Sequence, residues 1–261
     1  MANVVIGGMG LDADATDPAA SRGVLASAHS SRLTSAMIPR LTRLFALLLF
    51  TVTLRAAEPV RIGCMGDSLT AGAKVNAATE SYPAQLQQML GAGFVVKNFG
   101  KGGATLWHGG KPNAFEELAG VTEFAPHVVV VAFGTNDTRS RDVAYWSHAG
   151  EFDAELTKLL DTLAALPSKP RVVLCYAPAI QADLPGMTPE IHDNRAERQP
   201  RLAELRTKIH AIASARGLAI VDFFTPTEKH PELYADDGVH LNAAGYRVMA
   251  EAVRGVVTSK Q

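Results

Sequence analysis

The run from His127 to Phe133 constrains this chain most, because after the histidine it holds four consecutive valines and no polar side chain. A β-branched run of that length suits a strand, and a strand apolar on both alternating faces must be covered on both sides. It therefore predicts the centre of a parallel sheet. Val60–Met65, Phe94–Phe99, Arg171–Tyr176 and Leu218–Phe223 read as further strands. Between and after them, Tyr82–Leu90, Phe152–Leu166, Arg201–Arg216 and Ala243–Val257 carry apolar residues at helical spacing. Gly91-Ala92-Gly93 stops the first helix, and Pro167–Pro170 breaks the second, whose Leu156, Leu159, Leu160 and Leu163 share one face. Five β-α units predict an α/β fold, a three-layer α/β/α sandwich around a five-stranded parallel sheet, with right-handed crossovers and a ligand at the C-terminal strand ends. No internal repeat or interdomain linker interrupts residues 58–261, which are expected to form one domain.

The N-terminal part reads differently. Residues 1–36 are rich in Ala, Ser, Gly and Asp without sustained period, and are expected to be disordered or an extension foreign to the working protein. From Met37, Arg40 and Arg43 precede the uncharged run Leu44–Leu54, and Arg55-Ala56-Ala57 follows. A basic segment, an apolar segment and small residues predict a signal peptide over 37–57, too short to span a bilayer. The competing reading is a short anchor or buried helix. The expectation is a true start at Met37, cleavage near Ala56 or Ala57, and a secreted or periplasmic protein without stable membrane insertion.

Charge narrows the partners. The 25 Lys and Arg nearly balance 26 Asp and Glu, so the sequence predicts no nucleic-acid partner and a neutral or weakly polar substrate. Cys64 and Cys175 both fall in expected buried strands, where small core side chains are a better reading than a disulfide.

The strand ends carry the chemistry. Gly66-Asp67-Ser68 follows the first strand, and Asn98-Phe99-Gly100-Lys101-Gly102-Gly103 the second. Gly134-Thr135-Asn136-Asp137 follows the third, and Asp237-Gly238-Val239-His240 precedes the last helix. Ser68 suits a nucleophile, although serine at that position also suits a helix cap. A hydroxyl needs a base, and the base a carboxylate to orient it; Ser68, His240 and Asp237 supply those parts, with Asp236 a rival for the last. A developing oxyanion needs preorganised donors, which the Ser68 N–H, the Gly100 N–H and the Asn136 side chain offer.

These four blocks, in order, resemble the SGNH or GDSL family of serine hydrolases, over nearly all of residues 60–257. The resemblance implies a flavodoxin-like fold with Ser68 as nucleophile, Gly100 and Asn136 in the oxyanion hole, His240 as base and Asp237 as its orienting carboxylate. No cofactor is implied. The blocks differ from the Gly-x-Ser-x-Gly elbow of α/β-hydrolases, because position 70 is Thr and Asp237 lies only three residues from His240. The wider similarity of Ser81–Leu86, Asn98–Gly100 and Leu166–Pro170 is to secreted bacterial sialate O-acetylesterase-like and acetylxylan-esterase-like proteins. It implies a small-molecule or polysaccharide ester as substrate, with acetyl the expected acyl group. The alternatives are a lysophospholipase or short-chain arylesterase, expected if a long apolar channel is present, and a non-catalytic carbohydrate-binding module on the same fold.

Asp67, Trp107 and His108 are further candidates for substrate contact. Asp67 also suits organising the turn by hydrogen bonding, and Trp107 suits packing as well as stacking on a sugar ring. Tyr145 and Trp146 read as packing residues. The stretch Pro178–Arg195 is expected to be a long substrate-binding loop. His127, His148, His192, His210 and His230 show no pairing with carboxylates that predicts a metal site.

Overall fold

The computed structural model describes residues 58–259. The expected extension over 1–36 and leader over 37–57 lie outside the described residues. Strand and helix alternate: β1 (Val60–Gly66), α1 (Ser68–Ala71), α2 (Tyr82–Leu90), β2 (Phe94–Gly100), α3 (Leu118–Phe124), β3 (Val128–Ala132), α4 (Phe152–Ala164), β4 (Arg171–Tyr176), α5 (Pro189–Arg216), β5 (Ala219–Asp222) and α6 (Ala243–Thr258), with shorter helical turns between them.

The strands form one parallel sheet in the order β2-β1-β3-β4-β5. Register brings Gly66 opposite both Gly100 and Ala132, so β1, β2 and β3 end together. The chain leaves β1 in one direction for β2 and returns past it for β3. That reversal opens a crevice above β1 and β3, the site such sheets use for ligands.

The valines of β3 show why it is central. Val129 and Val131 enter a core with Leu156, Leu159 and Leu163 of α4 and Leu205 and Ile209 of α5. Val128 and Val130 enter the opposite core, with Tyr82 and Leu86 of α2 and Tyr246, Met249 and Val253 of α6. Period-two alternation therefore feeds two cores, and helices cover both faces. Cys64 and Cys175 are free and buried in the second core. Burial pushes the Cys64 thiol up to about 12, which leaves it an inert packing group.

One expected boundary is corrected. The stretch read as a loop to Arg195 is helical from Pro189, and α5 runs 28 residues, through Pro200, to Arg216. Thr188 caps it by accepting from the Ile191 N–H, and Pro189 occupies the first turn, where a missing N–H costs nothing. Pro200 breaks one intrahelical bond. Side chains offset the loss: Gln199 donates to the Ile180 carbonyl, Arg198 to that of Thr135, and Arg201 to that of Thr138.

Leu159 is fully buried in the first core. Leu159→Ala is expected to destabilise the fold by about 2–5 kcal/mol through lost burial and the cavity left behind. Val95→Ala, on exposed β2, should stay within about 0.5 kcal/mol of the parent. Urea denaturation of the two variants checks the contrast.

Candidate active site

The turn after β1 is forced by close packing. A Cβ on Gly66 would lie 2.6 Å from the Ala132 carbonyl oxygen and 2.0 Å from Thr70 Oγ1, so only glycine fits. Asp67, not Ser68, is the cap of α1: its Oδ1 accepts from the Leu69 N–H at 2.9 Å. Gly72, in the left-handed region at φ 88°, ends the helix after one turn. Ser68 is thus freed from capping, and its hydroxyl faces out of the sheet edge.

There it meets His240. Ser68 Oγ lies 2.8 Å from His240 Nε2, and His240 Nδ1 lies 2.6 Å from Asp237 Oδ2. Asp237 Oδ1 accepts from the backbone N–H groups of His240 and Val239 at 2.8 and 2.9 Å. Burial favours a neutral Asp237, but the hydrogen bonds from the His240 ring and from the two backbone amides outweigh it and hold the carboxyl below the usual range. An ionised carboxylate only accepts, so Nδ1 carries the imidazole proton and Nε2 is left to accept from the Ser68 hydroxyl. Asn242 fixes this loop by capping α6 through the Ala244 and Gly245 N–H groups. Asp236 points elsewhere, to an exposed pair with Lys74 at 3.1 Å.

The glycine assignment is corrected. The Gly100 N–H donates to Asn98 Oδ1 at 2.8 Å, and a Cβ at Gly100 would sit 2.2 Å from the Ala71 nitrogen. Gly100 is therefore required for the end of β2 to pack on α1, while Asn98 Nδ2 donates to the Thr70 carbonyl. Gly103, three residues on and at φ 82°, lines the cleft instead. Its N–H and that of Ser68 have no protein acceptor among the described residues. Asn136 Nδ2 donates one proton to the Ala104 carbonyl at 3.0 Å, which places the amide beside Gly103.

The cleft has a volume of ≈ 480 Å³ and joins Ser68, His240, Asp237, Gly103 and Asn136 to Ala73, Val239, Arg139, Asp142, Asn194, Arg195 and Arg198. Of the last five, Asn194 and Arg195 fall within the stretch Pro178–Arg195 expected to bind substrate, and Arg139, Asp142 and Arg198 are polar residues that sequence reasoning missed. The signal of Arg198 was hidden because it lies between that stretch and the helix expected from Arg201, where the structure has continuous α5.

Asp67, Trp107 and His108 do not line this cleft. Asp67 is buried beneath Ser68 and tied to its own turn. Trp107 stacks on His148, with ring centres 3.5 Å apart, and donates to Glu151 at 3.1 Å; His108 pairs with buried Glu155. Both anchor their loop to the segment before α4 and to α4 itself. Trp146 packs beneath the Arg201 guanidinium.

Asp137 ties that loop down. Its carboxylate accepts from the Leu106 N–H at 3.0 Å and the Trp107 N–H at 3.2 Å. Burial raises Asp137 to about 6 despite these bonds, and Asp67 likewise. Among the described residues no three His, Cys, Asp or Glu side chains gather as metal ligands, and no helix is long and apolar enough to cross a membrane.

Comparison with known proteins bears on the family and the fold. The family described as GDSL-like lipase/acylhydrolase matches residues 64–248. An acetylxylan esterase of Xylanibacter ruminicola is 28% identical over 220 residues, 77% of this chain; the chain spans 43% of that relative's length. Among solved structures, the M. smegmatis aryl esterase superposes with a TM-score of 0.60 at 22% identity, covering 76% of this chain and 98% of the other. A carbohydrate acetylesterase family member from Sinorhizobium meliloti gives 0.59 at 20%, covering 76% and 97%. These two likenesses show the same fold.

A buried acid that holds its proton longer in the folded state makes folding less favourable as pH rises between its two titrations. For Asp137 that window runs from 3.8 to about 6. Asp137→Asn should therefore gain stability relative to wild type across it, by up to about 3 kcal/mol, and hold the difference above it. Urea titrations from about pH 4 to 8 check this; a pH-independent difference contradicts it.

Proposed function

We propose that this chain, which belongs to the GDSL-like lipase/acylhydrolase family, is a carboxylic ester hydrolase that removes small acyl groups, acetyl above all, from carbohydrate through a Ser68-His240-Asp237 triad. Ser68 Oγ attacks the ester carbonyl carbon as His240 Nε2 takes its proton. The oxygen that becomes negative is held by the N–H groups of Ser68 and Gly103 and by Asn136 Nδ2. As the tetrahedral adduct collapses, His240 returns the proton to the departing alcohol. Water, deprotonated by His240, then attacks the acyl-Ser68 ester; as the acid departs, His240 returns that proton to Ser68 Oγ. Asp237 stays ionised throughout and stabilises the imidazolium.

The observation that carries the choice of substrate is the lining of the cleft. Beyond the triad and oxyanion groups it is dominated by Arg, Asp and Asn, with Ala73 and Val239 as its apolar side chains. That surface suits a polar alcohol and offers no long apolar wall for a fatty acyl chain. The acetylxylan esterase relative favours the same reading. Export through the segment 37–57 would bring the protein to such a substrate, and we include it in the proposal.

Ser68→Ala is expected to lower p-nitrophenyl acetate hydrolysis by several orders of magnitude, and an unchanged rate would refute the mechanism. Asp237→Ala should lose most activity, whereas Asp236→Ala should keep it. Across p-nitrophenyl esters of increasing chain length, kcat/KM should fall sharply beyond acetyl; a rise toward long chains would favour a lipase instead.

A further inference from the structure

Two guanidinium groups in the cleft form no salt bridge with a carboxylate among the described residues. Arg195 and Arg198 lie one turn apart on α5 and line the same cavity as Ser68 and His240. Arg198 is only 4% exposed. Its Nε donates to Thr138 Oγ1 at 2.9 Å and its Nη2 to the Thr135 carbonyl at 2.8 Å. Arg195 Nε donates to the Asp237 backbone carbonyl at 2.9 Å and its Nη1 to Asn194 Oδ1 at 2.5 Å. All four acceptors are neutral.

The other arginines at this end of the molecule differ. Arg139 is paired with Asp142, and Arg141 and Arg201 with Glu197. Neither Arg195 nor Arg198 has a carboxylate within 4.0 Å among the described residues. A guanidinium has five N–H donors, and each of these two commits two, leaving three to face the cleft or its walls. Burial, then the charges of Arg195 and Arg139, push Arg198 below its ordinary pKa. Asp67 acts on it only through space and is itself raised to about 6. Asp237 acts on Arg195 through space, and the cleft lining sets three arginines against the two carboxylates of Asp142 and Asp237; because an arginine keeps its proton, the balance is a positive potential in a partly desolvated site.

We infer that Arg195 and Arg198 form an anion subsite, and that the ester best suited to this cleft carries a carboxylate on its alcohol portion, as an O-acetylated acidic sugar does. This rests on the ester-hydrolase reading of Ser68 and His240. The carboxylate belongs to the alcohol because the leaving oxygen must reach His240 for its proton, and Arg195 is bonded to the Asp237 backbone in the same loop. A planar carboxylate matches the fork of a guanidinium, and two such forks one helical turn apart would hold it against rotation. The near-neutral net charge of the chain says nothing of this, because a total does not report where the charges lie.

The test compares two substrates with the same ring and acyl group, a methyl O-acetyl-glucuronoside and its uronamide. Wild type should prefer the acid by about tenfold or more in kcat/KM, mostly through KM, and the preference should shrink as salt rises. Arg195→Gln should bring the acid-to-amide ratio toward one, with Arg195→Lys intermediate. Calorimetry of Ser68→Ala with free methyl glucuronoside and its uronamide reads the same preference without chemistry or any arginine substitution. Equal treatment of acid and amide by wild type, or a ratio untouched by Arg195→Gln, overturns the subsite. Loss of p-nitrophenyl acetate hydrolysis in Ser68→Ala tests the underlying reading separately, so the two failures are distinguishable.

Discussion

The hydrogen bond from Ser68 to His240 Nε2 joins residues 172 positions apart, and most of the architecture bears on making it. It requires β1 to stop where β3 stops, a turn that releases the serine hydroxyl, and a loop before α6 that reaches back across the sheet. Gly66 meets the first requirement through its close contact with Ala132. Asp67 meets the second by taking the capping role on itself. Asp237 meets the third twice over, orienting the ring with one oxygen and the backbone of the same loop with the other. Substitution at these three positions would disturb the pair without replacing either member.

Beneath this pair lies a buried polar layer that an apolar core would avoid. Asp67, Asp137, Thr135, Thr138 and Arg198 are all shielded from water. Its longer-range hydrogen bonds tie site-bearing segments together: Asp137 holds the loop carrying Gly103, and Arg198 holds the turn carrying Asn136 to α5. Two carboxyls raised to about 6 mark the cost of keeping such groups from solvent. The return is rigidity, since donors aimed at a developing charge work best when they need no reorganisation.

The sheet was legible because its signals are local. Four valines in a row, two glycine-bounded strand ends and a leucine stripe along 156–163 depend only on near neighbours in sequence. The pairing of Ser68 with His240 was legible for another reason: four short blocks fall in order, three at strand ends and one before the last helix, and together they resemble one family although each alone has a bland explanation. What escaped depends on contacts between segments. Gly100 and Gly103 are equivalent as glycines, and only the approach of Ala71 to one of them separates their uses. Pro200 reads as a break unless one knows that Arg198, Gln199 and Arg201 are all bonded outside the helix. Trp107 suits a sugar platform and packing equally until His148 occupies its face.

The central claim is that Ser68 is the activated nucleophile and that His240 activates it. It is tested most directly by treating the protein with a fluorophosphonate and locating the adduct by mass spectrometry of its peptides. The account predicts one phosphonyl group, on Ser68, formed rapidly in wild type and hardly at all in His240→Ala. Modification of a different residue, or equal labelling of Ser68 without the histidine, would contradict it.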